Sequence, residues 1–227
     1  MPQQRSDPPR PLLILVGGAA DRALRKVGRV HDRLAARPDA ATRALHYLHH
    51  DQARAIRALI AAQPPGTPIR LVGHSWGGHA AARIAARLGE EGRPVELLIT
   101  IDPVARLVGP AFLGRVKAGA RRWINARAAG GPRVHPSDLV AAIGGPYGGA
   151  PRGQADLHLD LPHCHADVSG MLDCRTPAGL SLLEIALGLE QLAEGLEGVT
   201  SSGAPRGVPH APGGGSAPCA ASGAPKG

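Results

Sequence analysis

Ser75 stands at the centre of Gly73-His74-Ser75-Trp76-Gly77, the residues here whose types and spacing are best suited to chemistry. The apolar run Ile69-Arg70-Leu71-Val72 precedes it, and the alanine-rich stretch from Gly78 to Leu88 follows. A chain turning sharply from strand into helix forces its central residue towards strained backbone angles. Glycine two places to either side removes Cβ atoms that would collide. Such a turn presents the serine hydroxyl at the carboxyl edge of a sheet as a nucleophile. The Trp76 amide, at the helix start, then faces the place where an oxyanion forms. The plainer alternative is a glycine-flanked turn with an incidental serine. The preceding strand, the following helix and the further glycine at Gly78 count against it.

A serine hydroxyl reacts at neutral pH only when a base takes its proton and a third group holds the base. Two histidines lie in Leu161-Pro162-His163-Cys164-His165-Ala166-Asp167, after the last strand-like segment. His165 is favoured as the base because it lies deeper in the loop; His163, next to a proline, is left to support it. For the acid, Asp102 ends the apolar run Val95–Ile101 one strand after the serine, and Asp138 is the alternative. The second oxyanion donor is expected from Gly17-Gly18-Ala19-Ala20, at Gly18 or Ala19, where small residues let a backbone N–H approach a carbonyl oxygen. This chemistry calls for no cofactor and no metal. The rival is a zinc site from His163, Cys164, His165 and Cys174, but their spacing matches no standard zinc pattern.

The elements that must position these groups alternate. Leu12–Val16 reads as a fully buried strand and 21–36 as a helix with Leu24, Val27, Val30 and Leu34 on one face. Ala44–Leu48 is a second strand, 53–62 a helix, and Pro64-Pro65-Gly66 its stop. After the serine turn come the strand 95–101, a shorter strand 122–126, and 156–161, whose alternation suits an edge. Thr176 with Pro177 is expected to open a last helix carrying an apolar stripe from Leu180 to Leu196. The Gly/Pro-rich stretch 128–154 reads as a long surface loop. Its Leu139, Val140 and Ile143 are expected either to cover an acyl chain or to pack on the sheet. Strands alternating with helices specify a mostly parallel sheet with helices on both faces, an α/β fold. The expected boundaries are a flexible N-terminus over 1–10, one domain over 11–198 and a disordered Gly/Pro/Ala-rich tail over 199–227.

Composition narrows the classes. The formal net charge of +8 is carried by dispersed arginines without a nucleic-acid motif. Tyr47, Trp76, Phe112, Trp123 and Tyr147 are too few for a carbohydrate platform. Leu12–Val16 is too short for a signal core or a membrane span, which makes the cytoplasm the default expectation. Cys164, Cys174 and Cys219 make an odd number, and no disulfide framework is expected in a chain of this size and compartment.

Taken together, strand-Gly-Gly, Gly73-His74-Ser75-Trp76-Gly77-Gly78, Asp102 and His165, in the order Ser, Asp, His, resemble the α/β-hydrolase superfamily. The resemblance spans about 11–196. Ile101-Asp102-Pro103 is also similar to the strand-end Asp-Pro of the pancreatic-type lipases, which favours Asp102 over Asp138. It implies a minimal fold without a separate cap domain and a serine esterase or lipase acting on small-molecule or lipid esters. A thioesterase of the same fold and a non-catalytic binding protein are the alternatives.

Overall fold

The computed structural model describes residues 9–130 and 135–189. In chain order its strands and helices are β1 (Leu12–Gly17), α1 (Asp21–Leu24), α2 (Lys26–Ala35), β2 (Ala44–His49), α3 (Ala53–Ala61), β3 (Ile69–His74) and α4 (Trp76–Glu90). Then follow β4 (Val95–Ile101), α5 (Pro110–Ala118), β5 (Ala120–Ala128), α6 (Pro136–Gly144), β6 (Leu157–Leu161), α7 (Val168–Asp173) and α8 (Leu182–Leu187).

The strands form one sheet in the order β2-β1-β3-β4-β5-β6, every neighbouring pair parallel. Parallel strands need helical crossovers, which cover both faces. The continuous apolar run of β1 therefore splits by alternation. Leu12, Ile14 and Val16 face a core with Ile56 and Ile60 of α3 and the alanines of α4. Leu13 and Leu15 face the opposite core, with Val27, Val30 and Leu34 of α2, Met171 of α7 and Ile185 of α8. The chain leaves β1 in one direction to β2, then crosses back to β3 on the other side. That reversal opens a crevice at the carboxyl ends of β1 and β3, where α/β sheets bind their ligands. Among the described residues no helix is long and apolar enough to cross a membrane.

Several expectations about local structure are corrected. The helix read over 21–36 is two helices. Arg25 adopts a left-handed conformation (φ 49°), and the Asp21 carboxylate accepts from the N–H groups of Val27 and Gly28, at 2.9 and 3.3 Å, capping the second helix from outside. The stretch read as a long loop contains α6, started by Pro136 at its first position and by a capping box between His135 and Asp138. The strand read over 122–126 extends to nine residues, Ala120–Ala128. The last helix starts after Ser181, whose side chain accepts from Glu184 N–H while Glu184 accepts from Ser181 N–H. Thr176 instead closes a turn, its carbonyl accepting from Gly179 N–H at 2.8 Å. The remainder of that expected helix, the tail over 199–227 and most of the N-terminal segment lie outside the described residues.

Candidate active site

Ser75 sits between the last residue of β3 and the first of α4 with φ 57° and ψ −128°, a conformation that L-residues rarely hold. Its surroundings leave no choice. A Cβ on Gly73 would lie 2.3 Å from the Gly77 carbonyl oxygen, and one on Gly77 2.2 Å from that of Val16. Ser75 N–H donates to Ile101 O (3.0 Å), and Ser75 O accepts from Gly78 N–H (2.9 Å) and Val104 N–H (3.1 Å). The turn is thus bonded to both strand β4 and the segment that follows it. Gly18, from the loop after β1, approaches so closely that an added Cβ would stand 2.9 Å from Ser75 Cβ. Gly18, Ala19 and Trp76 all border the crevice at Ser75.

The sheet edge brings Asp102 and His165 to the same point. Asp102 follows β4 directly, with φ 38°. Its Oδ1 accepts from Ala128 N–H (3.1 Å) and its Oδ2 from His165 Nδ1–H (2.6 Å). The Ser75 hydroxyl lies 3.0 Å from His165 Nε2, completing an unbroken chain from hydroxyl to imidazole to carboxylate. All three side chains are buried. His163 points elsewhere, its Nδ1 2.8 Å from Asp167 Oδ2. The Asp138 carboxylate does not meet the His165 ring; its Oδ1 accepts from the His165 backbone N–H at 2.7 Å.

Two contributors escaped sequence reasoning. His74, inside the motif but at one of its variable positions, donates from Nε2 to the carbonyl of His165 at 2.8 Å, with the two rings 4.6 Å apart. Burial, and then the neighbouring His165, push the His74 imidazole down to about 4, so it is neutral at pH 7. Asp21 is buried beside the Gly17–Ala20 loop, where it holds the start of α2 and the Tyr47 hydroxyl. Its signal was present as an acid directly after a Gly-Gly-Ala-Ala loop, but its partners come from α2 and β2.

The crevice encloses about 470 Å³, walled by Gly18, Ala19, Leu24, Pro136, Val140 and Ala141. Leu139, Val140 and Ile143 are 63%, 68% and 74% exposed. Of the two expectations for this trio, packing on the sheet is therefore corrected: α6 stands over the edge of the crevice with Leu139, Val140 and Ile143 largely in solvent and Ala141 buried. Cys164 is free and Cys174 is disulfide-bonded. A sulfur tied up in this way is no zinc ligand. Among the described residues no cluster of three or more His, Cys, Asp or Glu is arranged to hold a metal.

Residues 21–120 match the family described as Thioesterase domain. No curated protein matches the sequence. Among solved structures, a protein described as a cell surface hydrolase from Lactobacillus plantarum WCFS1 is 13% identical with a TM-score of 0.49, over 69% of this chain and 83% of that one. The NocB thioesterase domain is 18% identical with a TM-score of 0.42, over 70% of this chain and 89% of that one. YbtT, a type II thioesterase from the yersiniabactin pathway, is 15% identical with a TM-score of 0.41, over 71% and 88%. The parallel six-stranded sheet is that of an α/β fold, and residues 21–120 are similar to the Thioesterase domain family, whose members are α/β hydrolases.

Proposed function

We propose that the protein hydrolyses carboxylic esters of small acyl groups through Ser75, His165 and Asp102. The observation that carries this reading is the continuous contact from Ser75 Oγ to His165 Nε2 (3.0 Å) and from His165 Nδ1 to Asp102 Oδ2 (2.6 Å). Ser75 Oγ attacks the carbonyl carbon while His165 Nε2 takes its proton. Asp102 holds the imidazole in the tautomer whose Nε2 is free to accept, and stabilises the imidazolium that forms. The carbonyl oxygen becomes an oxyanion facing the N–H groups of Trp76 and of Gly18 or Ala19. Collapse of the tetrahedral adduct breaks the bond to the leaving oxygen, which receives the proton from His165 Nε2. Water then attacks the acyl-serine, giving its proton to His165, and the second collapse returns that proton to Ser75 and releases the acid. The walls made by Leu24, Val140 and Ala141 suit an apolar acyl group, and the crevice volume suits a short one.

The same steps apply to a thioester, with a thiol as leaving group, and the match of 21–120 to the Thioesterase domain favours that second reading. Both readings share one test. A fluorophosphonate probe should label Ser75, and Ser75→Ala should lose both labelling and hydrolysis of short p-nitrophenyl esters by roughly 100,000-fold while keeping the wild-type unfolding temperature. A Ser75→Ala protein that still hydrolyses these esters at the wild-type rate refutes the assignment. Matched oxygen and thioester substrates with the same acyl group then decide between the readings.

A further inference from the structure

The His165 loop carries no glycine lock of the kind that surrounds Ser75, yet the imidazole must be held against the hydroxyl to within a fraction of an ångström. Its backbone is gripped from both sides. The carbonyl of His165 accepts from His74 Nε2–H (2.8 Å), its N–H donates to Asp138 Oδ1 (2.7 Å), and the next N–H, of Ala166, donates to Ser137 Oγ (3.2 Å). Asp138 and Ser137 both belong to the first turn of α6. The carboxylate of Asp138 is divided between two tasks: Oδ2 accepts from His135 N–H (3.1 Å), closing the capping box, while Oδ1 reaches 27 residues along the chain to His165. A capping role alone occupies only the first of these oxygens. Burial draws the Asp138 carboxyl upward, but the amides of His165 and His135 outweigh it and keep the group below the usual carboxylate range, hence ionised at pH 7. The same helix supplies Pro136, Val140 and Ala141 to the crevice.

We infer that Asp138 is a positioning residue for His165: through the His165 N–H it sets the imidazole against Ser75, and it ties that setting to α6, the helix that walls the acyl crevice. This inference rests on the reading of Ser75 and His165 as nucleophile and base. The two oxygens of Asp138 make it separable from a structural cap. Asp138→Asn keeps a carbonyl oxygen for the His165 N–H but turns an amide towards His135 N–H. Asp138→Ala removes both bonds.

The test compares wild type, Asp138→Asn, Asp138→Ala and Ser137→Ala in p-nitrophenyl butyrate hydrolysis, fluorophosphonate labelling rate and unfolding temperature. Asp138→Ala is expected to lower kcat and the labelling rate roughly 10- to 100-fold, the scale of a displaced catalytic group, with KM changed less than about twofold. Asp138→Asn is expected to recover most of kcat, and Ser137→Ala to lose only a few-fold. If Asp138→Ala keeps the wild-type kcat and loses only unfolding temperature, Asp138 is a cap and the inference fails while the reading of Ser75 stands. An Asp138→Asn protein as slow as Asp138→Ala also overturns it. Absence of wild-type labelling at Ser75 overturns both. Should Asp138→Ala not fold, Asp138→Asn and Ser137→Ala decide: kcat reduced in Ser137→Ala but nearly intact in Asp138→Asn supports the inference, and the reverse order sinks it.

Discussion

Ser75 is held by backbone packed on backbone, whereas His165 is held by side chains reaching for its main chain. Around the serine, Gly73, Gly77 and Gly18 let three segments close to distances that no Cβ would survive, and the central strands β1 and β3 carry the load. Around the histidine, the loop follows the edge strand β6, and His74, Asp138 and Ser137 supply the grip from elements distant in the chain. The first arrangement tolerates no added atom. The second tolerates substitution but depends on a few hydrogen bonds, each worth about 1 kcal/mol, or more where a charge accepts. This design concentrates rigidity around Ser75 and leaves the His165 loop adjustable through its neighbours.

The comparison is broken most severely at the point where its two halves meet. Asp102→Asn is expected to lower kcat roughly 10,000-fold with little change of KM. Asn can still accept from Ala128 N–H through Oδ1, so the turn survives, but its amide then faces His165 Nδ1. That favours the tautomer with the proton on Nε2, which cannot take one from Ser75. Steady-state kinetics with a soluble ester measure it; a kcat within tenfold of wild type would leave Asp102 without the role proposed for it.

The nucleophile half is probed next by stability. Gly77→Ala places a methyl 2.2 Å from the Val16 carbonyl oxygen, and the crowding is backbone on both sides. A loss of roughly 3 kcal/mol or more in urea unfolding is expected, if the protein folds at all. Gly153→Ala, where nothing lies within 4 Å, is the control and should change little. Equal stabilities for the two variants would mean that the elbow can yield.

The smallest expected effect concerns the buried imidazole that links the halves. His74 titrates near 6.5 in the unfolded chain but only at about 4 when folded. Between those values the unfolded state binds more protons, so stability is complete above pH 6.5 and declines as the pH falls towards 4. The full decline attributable to His74 is at most about 3.5 kcal/mol, at about 1.4 kcal/mol per unit. Urea unfolding at pH 7 and pH 5 should show the fall, and His74→Gln, which retains a donor for the His165 carbonyl, should reduce it. His79, lowered to about 4 by burial and then Arg83, accounts for part of what remains. A wild-type stability that is flat from pH 7 to pH 5 contradicts this account.

Much of the nucleophile half is legible before folding, because its constraints are local. A strand, a glycine-flanked serine and an alanine-rich helix are neighbours in sequence, and so are the collisions that the glycines avoid. Asp102 is nearly as legible, since an apolar run ending in a carboxylate declares its own sheet edge. The base half is less so. His163 and His165 share composition and spacing, and only the paths of their side chains separate them: one towards Asp167, the other towards Ser75 and Asp102. The segment from 128 to 154 hides α6 because glycine and proline dominate its composition, although Pro136 and Asp138 are ordinary helix-opening residues. By sequence Asp138 is a candidate acid for the imidazole, whereas its carboxylate meets the main chain of His165 instead.

From residue order alone came the α/β class, the strand-to-helix turn at Ser75, and the candidates Asp102 and His165, all consequences of periodicity and of contacts a few residues long. Only the folded chain decided that strand β1 lies between β2 and β3, that Gly18 faces Ser75, and that α6 grips the His165 loop. Those facts join residues tens of positions apart, and their pairing depends on crossovers and loop closure, which leave no periodic trace in the sequence.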